Sequence, residues 1–288
     1  MGDRTLTSSR AKRIRVAGVC TLLLTLAACT GSFFYNRLDT LAGWYLGSLV
    51  SLTDGQRIQL QHWLSQTLAW HRQSELNRYS RFLRDLSDQV MQPGTPVRYE
   101  ETQKRFQGFW DDLIEKATPD ATTLLLSLSP EQVDELVRNM EEKARERSDD
   151  EGKPENWHRE QAKSLTRFVK RWAGSVTDEQ KALITAAAAQ VEPTRDEWLA
   201  SQQAWQRSLR EALQKPADDR AGAVQRLLEK PDNQWTQEYH DKSQRNRQRY
   251  LELVTSLDAT FTDRQRQHLR AELLKLAQQL DTIARGKT

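Results

Sequence analysis

A chain of 288 residues, 37% of them hydrophobic, is long enough for one large domain or two small ones around a real core. Charged residues make up 29% and the mean hydropathy is −0.79, which excludes a polytopic membrane protein; nine Trp in a regular apolar pattern exclude general disorder. Only 12 Gly and 8 Pro, with β-branched residues sparse through the body of the chain, suit helices and poorly suit a sandwich or barrel.

The first segment reads as an address. Residues 1–15 carry Arg4, Arg10, Lys12, Arg13 and Arg15 against one acid, Asp3, and Val16 to Ala28 follows without a charge. That apolar run is too short for a permanent membrane span and fits a signal. It ends Leu26-Ala27-Ala28-Cys29, which resembles the bacterial lipobox. The resemblance implies a signal peptide over 1–28, with Cys29 as the first mature residue, carrying three acyl chains, palmitate among them, that anchor it stably. An ordinary secretory signal or an N-terminal anchor helix would look similar. Thr30, rather than Asp, follows Cys29; by resemblance to Gram-negative lipoproteins this implies onward sorting to the outer membrane. Cys20 leaves with the signal, so the mature chain is expected to hold no disulfide and no thiol nucleophile. The signal also holds five of the 43 Lys+Arg and one of the 40 Asp+Glu, leaving 38 basic and 39 acidic residues. Such a balanced body gives no electrostatic footprint for nucleic acid.

Thr30-Gly31-Ser32 forms a short tether before Phe33, Phe34 and Tyr35, so the folded body is expected close to the headgroups. These aromatics, with Trp44 and Tyr45, lie where an interfacial belt would be useful; the packing reading puts most of them in the core and leaves Phe33 or Phe34 for the interface. Four later segments start alike: Leu52-Thr53-Asp54-Gly55-Gln56, Leu128-Ser129-Pro130-Glu131-Gln132, Val176-Thr177-Asp178-Glu179-Gln180 and Phe261-Thr262-Asp263-Arg264-Gln265. Each is a capping box, in which the hydroxyl accepts the N3 amide and Gln reaches back to the cap amide. From the first cap, Leu60, Leu64, Leu68, His71, Glu75, Tyr79, Phe82, Leu86 and Val90 form one stripe of a long helix ending before Pro93-Gly94. A helix with Phe106, Phe109, Trp110, Leu113 and Ile114 follows, and Thr118-Pro119-Asp120 is expected to break it. Ser129 caps the next, to about Arg147, and 148–154 is the best candidate linker. Beyond it come a helix from about Trp157, the Thr177-capped helix, a stripe of Trp198, Gln202, Trp205, Leu209 and Leu213, helices ended by Pro216 and Pro231, a long helix with Trp235, Tyr239, Tyr250, Leu253 and Leu257, and a last one from Thr262. The expected fold is all-α, an elongated multi-helix bundle divided into a half at 29–147, the linker, and a half at 155–288. The caps stand 76 residues apart in the first half and 85 in the second, which fits a duplication with an insertion or four independent caps.

Tyr35-Asn36-Arg37-Leu38-Asp39, Trp44-Tyr45, Leu52-Thr53 with Gln56, Trp70-His71 and Glu75-Leu76 resemble an uncharacterised family of bacterial outer-envelope lipoproteins. The likeness is tight over the lipobox and about the first ninety residues, and it implies a lipoprotein with no assigned activity. The Leu-Thr-x-x-Gln boxes are also similar to those of the Spy and CpxP periplasmic chaperones, which are small, helical and cradle-shaped with two boxes per chain. Those chaperones are soluble and shorter and lack this Trp content.

Few constellations could carry chemistry. His71 and Glu75, at i, i+4, point the same way; they could share a metal or a proton, or form a buried hydrogen bond that fixes helix register. Packing is the bland reading of the i, i+7 pairs Trp63/Trp70 and Trp198/Trp205, and a solvated face that of Arg245, Arg247 and Arg249; the functional reading makes Trp70, Trp205 and the three Arg a binding surface for a peptide, a glycan or an anionic group. A Gly-rich phosphate loop, a Gly-x-Ser-x-Gly elbow and a Cys/His metal cluster are absent from the sequence, so neither a cofactor nor a metal is expected. The expectation is a non-enzymatic protein, anchored by lipid to the periplasmic face of the outer membrane, that binds or scaffolds another envelope component, a protein or peptidoglycan, with a chaperone-like cradle as one version. The alternative is a hydrolase acting on envelope polymer or lipid through His71 and Glu75.

Overall fold

A computed structural model describes residues 35–94, 96–149 and 156–286. The signal, Cys20, Cys29, Phe33, Phe34 and residues 150–154 of the expected linker lie outside the described residues. Eleven α-helical segments and no strand make up the described chain: α1 (Leu38–Gly47), α2 (Asp54–Trp70), α3 (Leu76–Gln89), α4 (Pro96–Leu126), α5 (Pro130–Asp149), α6 (Trp157–Ala173), α7 (Asp178–Gln190), α8 (Arg195–Gln214), α9 (Ala217–Glu229), α10 (Gln237–Ala259) and α11 (Asp263–Ala284). The fold is all-α.

All four expected boxes close. Thr53, Ser129, Thr177 and Thr262 each accept the backbone N–H of the Gln three residues on, at 3.2–3.3 Å, and each gives its own N–H to that Gln's Oε1 at 2.9–3.0 Å. What local sequence does not show is that the boxes meet in pairs. The carboxamides of Gln56 and Gln132 face each other and exchange two hydrogen bonds, 3.0 and 2.8 Å; those of Gln180 and Gln265 do the same at 3.1 and 2.8 Å. The second amide hydrogen of each Gln reaches a backbone carbonyl two residues before the partner's cap: Ser127, Ser51, Thr260 and Ser175. Each pair therefore joins two helix starts about a local twofold, and the same arrangement occurs twice in the chain.

The two sequence halves share their cores. Leu49, Val50, Val133 and Leu136 pack with Leu209, Ala212, Leu213, Val224 and Leu227. Helix α3 lies along α11, where Phe82 and Leu83 meet Leu273, Leu276 and Ala277. Small residues let these backbones approach, and the buried Ser80 hydroxyl donates to the Ala277 carbonyl at 3.3 Å. A third cluster joins α6, α7 and α10 through Val169, Ile184, Leu253 and Leu257. Each buried Leu, Ile or Val contributes roughly 1.5–3 kcal/mol, so the contact between halves is a main source of stability. Ser148 and Asp149, read as the start of the linker, instead end α5; Ser148 is buried, and Arg195 of the second half bonds both.

Helix α4 runs unbroken through Pro119, contrary to the expected break. Proline removes the N–H that would reach the Glu115 carbonyl and crowds the preceding turn; the hydroxyls of the buried Thr118 and of Thr123 bond the flanking Ile114 and Pro119 carbonyls at 2.8 and 2.9 Å and do not replace it. Packing of α4 along α2, α9 and α10 outweighs the lost bond. The other departure is in the first long helix. It is continuous from α2 to α3, but His71–Glu75 is a π turn. Its stripe takes two consecutive four-residue steps there, His71 to Glu75 to Tyr79; these would drift about 40° each on an α-helix, and the wider turn keeps them on one face.

Candidate functional site

The π turn places the His71 and Glu75 side chains in the interior at 7% and 2% exposure. Ser74 donates its hydroxyl to the Trp70 carbonyl at 2.7 Å, occupying an acceptor at the widened turn. The Tyr35 hydroxyl lies 2.9 Å from His71 Nδ1, with the two rings stacked at 5.9 Å, and Tyr79 meets the imidazole edge-on at 5.4 Å. Burial pulls His71 down to about 4, so the ring is neutral at pH 7. Burial pushes the Tyr35 phenol up to about 12, against the opposing pull of Arg72, so it keeps its proton. The protonated phenol and the neutral imidazole share one hydrogen bond at Nδ1, its direction set by the imidazole tautomer, and the phenol oxygen also lies 3.5 Å from the Leu68 carbonyl.

Glu75 takes a different partner. Arg78 Nη1 lies 3.0 and 2.9 Å from its two oxygens and 2.6 Å from Asp112 of α4. The hydrogen bond to Asp112, then that to Glu75, holds the Arg78 guanidinium charged above its ordinary range. The expected mutual His71–Glu75 bond is thus replaced by two separate contacts. One ties the imidazole to the entry of the chain, and the other ties the carboxylate to the neighbouring helix. Nothing local in the sequence connects residue 35 to 71 or residue 78 to 112, so Tyr35, Arg78 and Asp112 were not read as part of this cluster.

The expected binding surface is divided among structural contacts. Trp205 is half-buried against the first core cluster, and its indole N–H donates to the Leu227 carbonyl at 3.1 Å. Trp70 flanks His71 at 6.4 Å between ring centres. Arg245 and Arg249 share one face of α10 and both bond Glu192, which follows α7; Asn246 between them bonds the Glu192 backbone N–H and C=O, each at 2.8 Å. The Arg245 contact leads in drawing Glu192 down to about 2. Arg247 faces away from these two and donates to Gln103 of α4 at 3.1 Å. A different surface emerges between α6 and α7. There an open furrow of about 650 Å³ is lined by Ala162 and Ala189 together with Arg159, Lys163, Arg167 and Lys181. Lys163 and Lys181 pair with Glu160 and Asp178 at 2.9 and 2.7 Å, while Arg159 and Arg167 have no ion-pair partner among the described residues.

A protein family of unknown function, DUF6279, matches residues 48–240, more than half of the chain. The chain belongs to DUF6279. Neither a curated protein nor a solved structure matches. The DUF6279 span contains His71, Glu75, Arg78, Asp112 and three of the four capping boxes. It ends inside α10, so the box at Thr262–Gln265, the partner of Gln180, lies beyond it, as does α11, against which α3 packs. Among the described residues of this DUF6279 chain, no group of three or more His, Cys, Asp or Glu is placed to share a metal, and no helix is long and apolar enough to cross a membrane.

Proposed function

We propose that this protein is a lipid-anchored scaffold of the bacterial envelope. Cys29 carries the acyl chains, the bundle sits at the periplasmic face of the outer membrane, and its surface holds another envelope component, a protein or peptidoglycan. The observation that carries this reading is the Leu26-Ala27-Ala28-Cys29 sequence behind a basic and then an apolar segment. The geometry agrees with a holding role. His71 and Glu75 are both engaged by internal partners, the paired boxes fasten helix starts to each other, and the two halves share cores. The α6–α7 furrow, where Arg159 and Arg167 have no ion-pair partner among the described residues, fits carboxylates of an acidic partner segment or of peptidoglycan.

The test is acylation together with fractionation. In cells fed an alkyne analogue of palmitate, the wild-type chain should carry label and float with outer-membrane vesicles, and a Cys29→Ser variant should lose both. An unlabelled wild-type chain recovered in the soluble fraction rejects the reading. One observation favours the hydrolase alternative: the π turn at His71–Glu75, a feature frequent at functional sites. A folded His71→Asn variant that keeps every phenotype of the wild type removes it.

A further inference from the structure

Helix α1 is at odds with its surroundings. Six of its ten residues are apolar (Leu38, Leu41, Ala42, Trp44, Tyr45 and Leu46), yet none of the ten is buried. Trp44 is 75% exposed, Tyr45 51% and Leu41 47%. These three lie at i, i+3 and i+4 and so share a face. The bundle meets a different face: a Cβ at Gly43 would touch Leu64 of α2 at 3.6 Å. On the adjoining α2, Ile58 is 67% exposed. Sequence reasoning placed Trp44 and Tyr45 in the core, and the structure places them outside. Tyr35, assigned to the core with them, is indeed buried. A large apolar face standing free on a helix marks a binding surface.

What covers it follows from where it stands in the chain. Tyr35 is fastened inside the bundle through His71, and five residues separate it from Cys29. Six Cα steps span about 20 Å at most, whatever their path. Acyl chains on Cys29 therefore hold the entry of α1 within reach of the headgroup layer, the zone that Trp and Tyr favour. A cation adjoins the face: Lys143 lies 5.7 Å from the Tyr45 ring centre. Both signs of charge are present, since Asp39 and Asp54 sit in the first turns of α1 and α2, so the aromatic face rather than net charge dominates.

We propose that the Leu41–Trp44–Tyr45 face of α1 seats on the boundary between headgroups and acyl chains of the bilayer, and that this contact fixes how the bundle stands on the membrane. The inference rests on the lipid-anchor reading and adds a second, non-covalent attachment to it. The probe is a spin label. Cys20 and Cys29 are the only cysteines in the sequence; after removal of the signal and acylation of Cys29, a Trp44→Cys substitution supplies the single free thiol. The full acylated chain, labelled there and reconstituted into phosphatidylethanolamine–phosphatidylglycerol vesicles, should collide with oxygen and lose collisions with a nickel chelate. The same label at Asp196→Cys, a position 91% exposed in the first turn of α8, should keep both. An acylated, vesicle-bound chain whose residue-44 label behaves like the one at 196 overturns this inference alone. A label at 44 shielded from oxygen and nickel alike means a protein covers the face and also overturns it. A chain that is not acylated, and stays with the soluble fraction, rejects the anchor reading and this inference with it.

Discussion

Replacing Gln180 with Leu tests whether the paired boxes act as clamps or merely as helix caps. Gln180 and Gln265 are 0% and 1% exposed, so no water substitutes for the lost carboxamide. The change strands the Thr177 N–H, the Thr260 carbonyl and one donor of the buried Gln265 side chain, whose Oε1 keeps the Thr262 N–H. Stranded buried groups cost about 1–3 kcal/mol each; because the two backbone groups lie toward the surface, the total should be about 3 kcal/mol. For a chain of this size that lowers the melting temperature by about 9 °C. The matching Gln56→Leu change should cost only about 1 kcal/mol, since Gln56 is 8% exposed and its partner Gln132 half-exposed, and water reaches the gap. Thermal unfolding followed by circular dichroism measures both. A Gln180→Leu, Gln265→Leu double variant should lose about 1–2 kcal/mol less than the sum of the singles, because the stranded amide leaves with its partner. Equal losses for Gln180→Leu and Gln56→Leu, or an additive cycle, would refute the clamp.

The pH dependence of stability should carry the signature of His71. Its folded value near 4 lies below the ordinary 6.5, so between those limits the unfolded chain binds the extra proton and stability falls as pH falls. Denaturant titrations from pH 7 to 4 should show up to about 3 kcal/mol more loss in the wild type than in His71→Asn; parallel curves would mean the imidazole is not buried. Arg266 and Asp258 form an ion pair at 5% and 8% exposure, with the Gly94 N–H also on Asp258 and the Val90 carbonyl on Arg266. Arg266→Met leaves the buried Asp258 only the longer Arg98 contact at 3.9 Å and should cost about 3 kcal/mol, read as a lower denaturant midpoint. Pro119→Ala restores a missing donor inside α4 and should raise the midpoint by about 1 kcal/mol; a lower midpoint would mean the helix is bent there to fit.

Local signals were the legible part of the fold. The four boxes could be read because hydroxyl and Gln sit three residues apart and need no distant partner. Thr236 also caps α10, but with Tyr239 rather than Gln at the third position it carries no box signature. The meeting of Gln180 with Gln265 is tertiary and leaves no trace within either segment. Pro119 misled because local helix cost is small beside packing on three sides. His71 and Glu75 were found by spacing, but their partners lie 36 residues away at Tyr35 and, through Arg78, 34 residues on at Asp112. Arg245 and Arg249 were legible as a basic stretch, yet only the folded chain shows Glu192 between them. Trp44 shows the limit from the other side: an apolar residue signals burial, and nothing in its neighbours says that the bundle leaves its face open.

The central claim, that an anchored bundle holds another envelope component, is tested most directly by photo-crosslinking in living cells from a probe at Arg167 on the α6–α7 furrow. A probe at the fully buried Ile184 of α7 serves as the internal reference. The account predicts one dominant adduct from Arg167, a single protein or peptidoglycan, and none from Ile184. No adduct from Arg167 above the Ile184 level would contradict it.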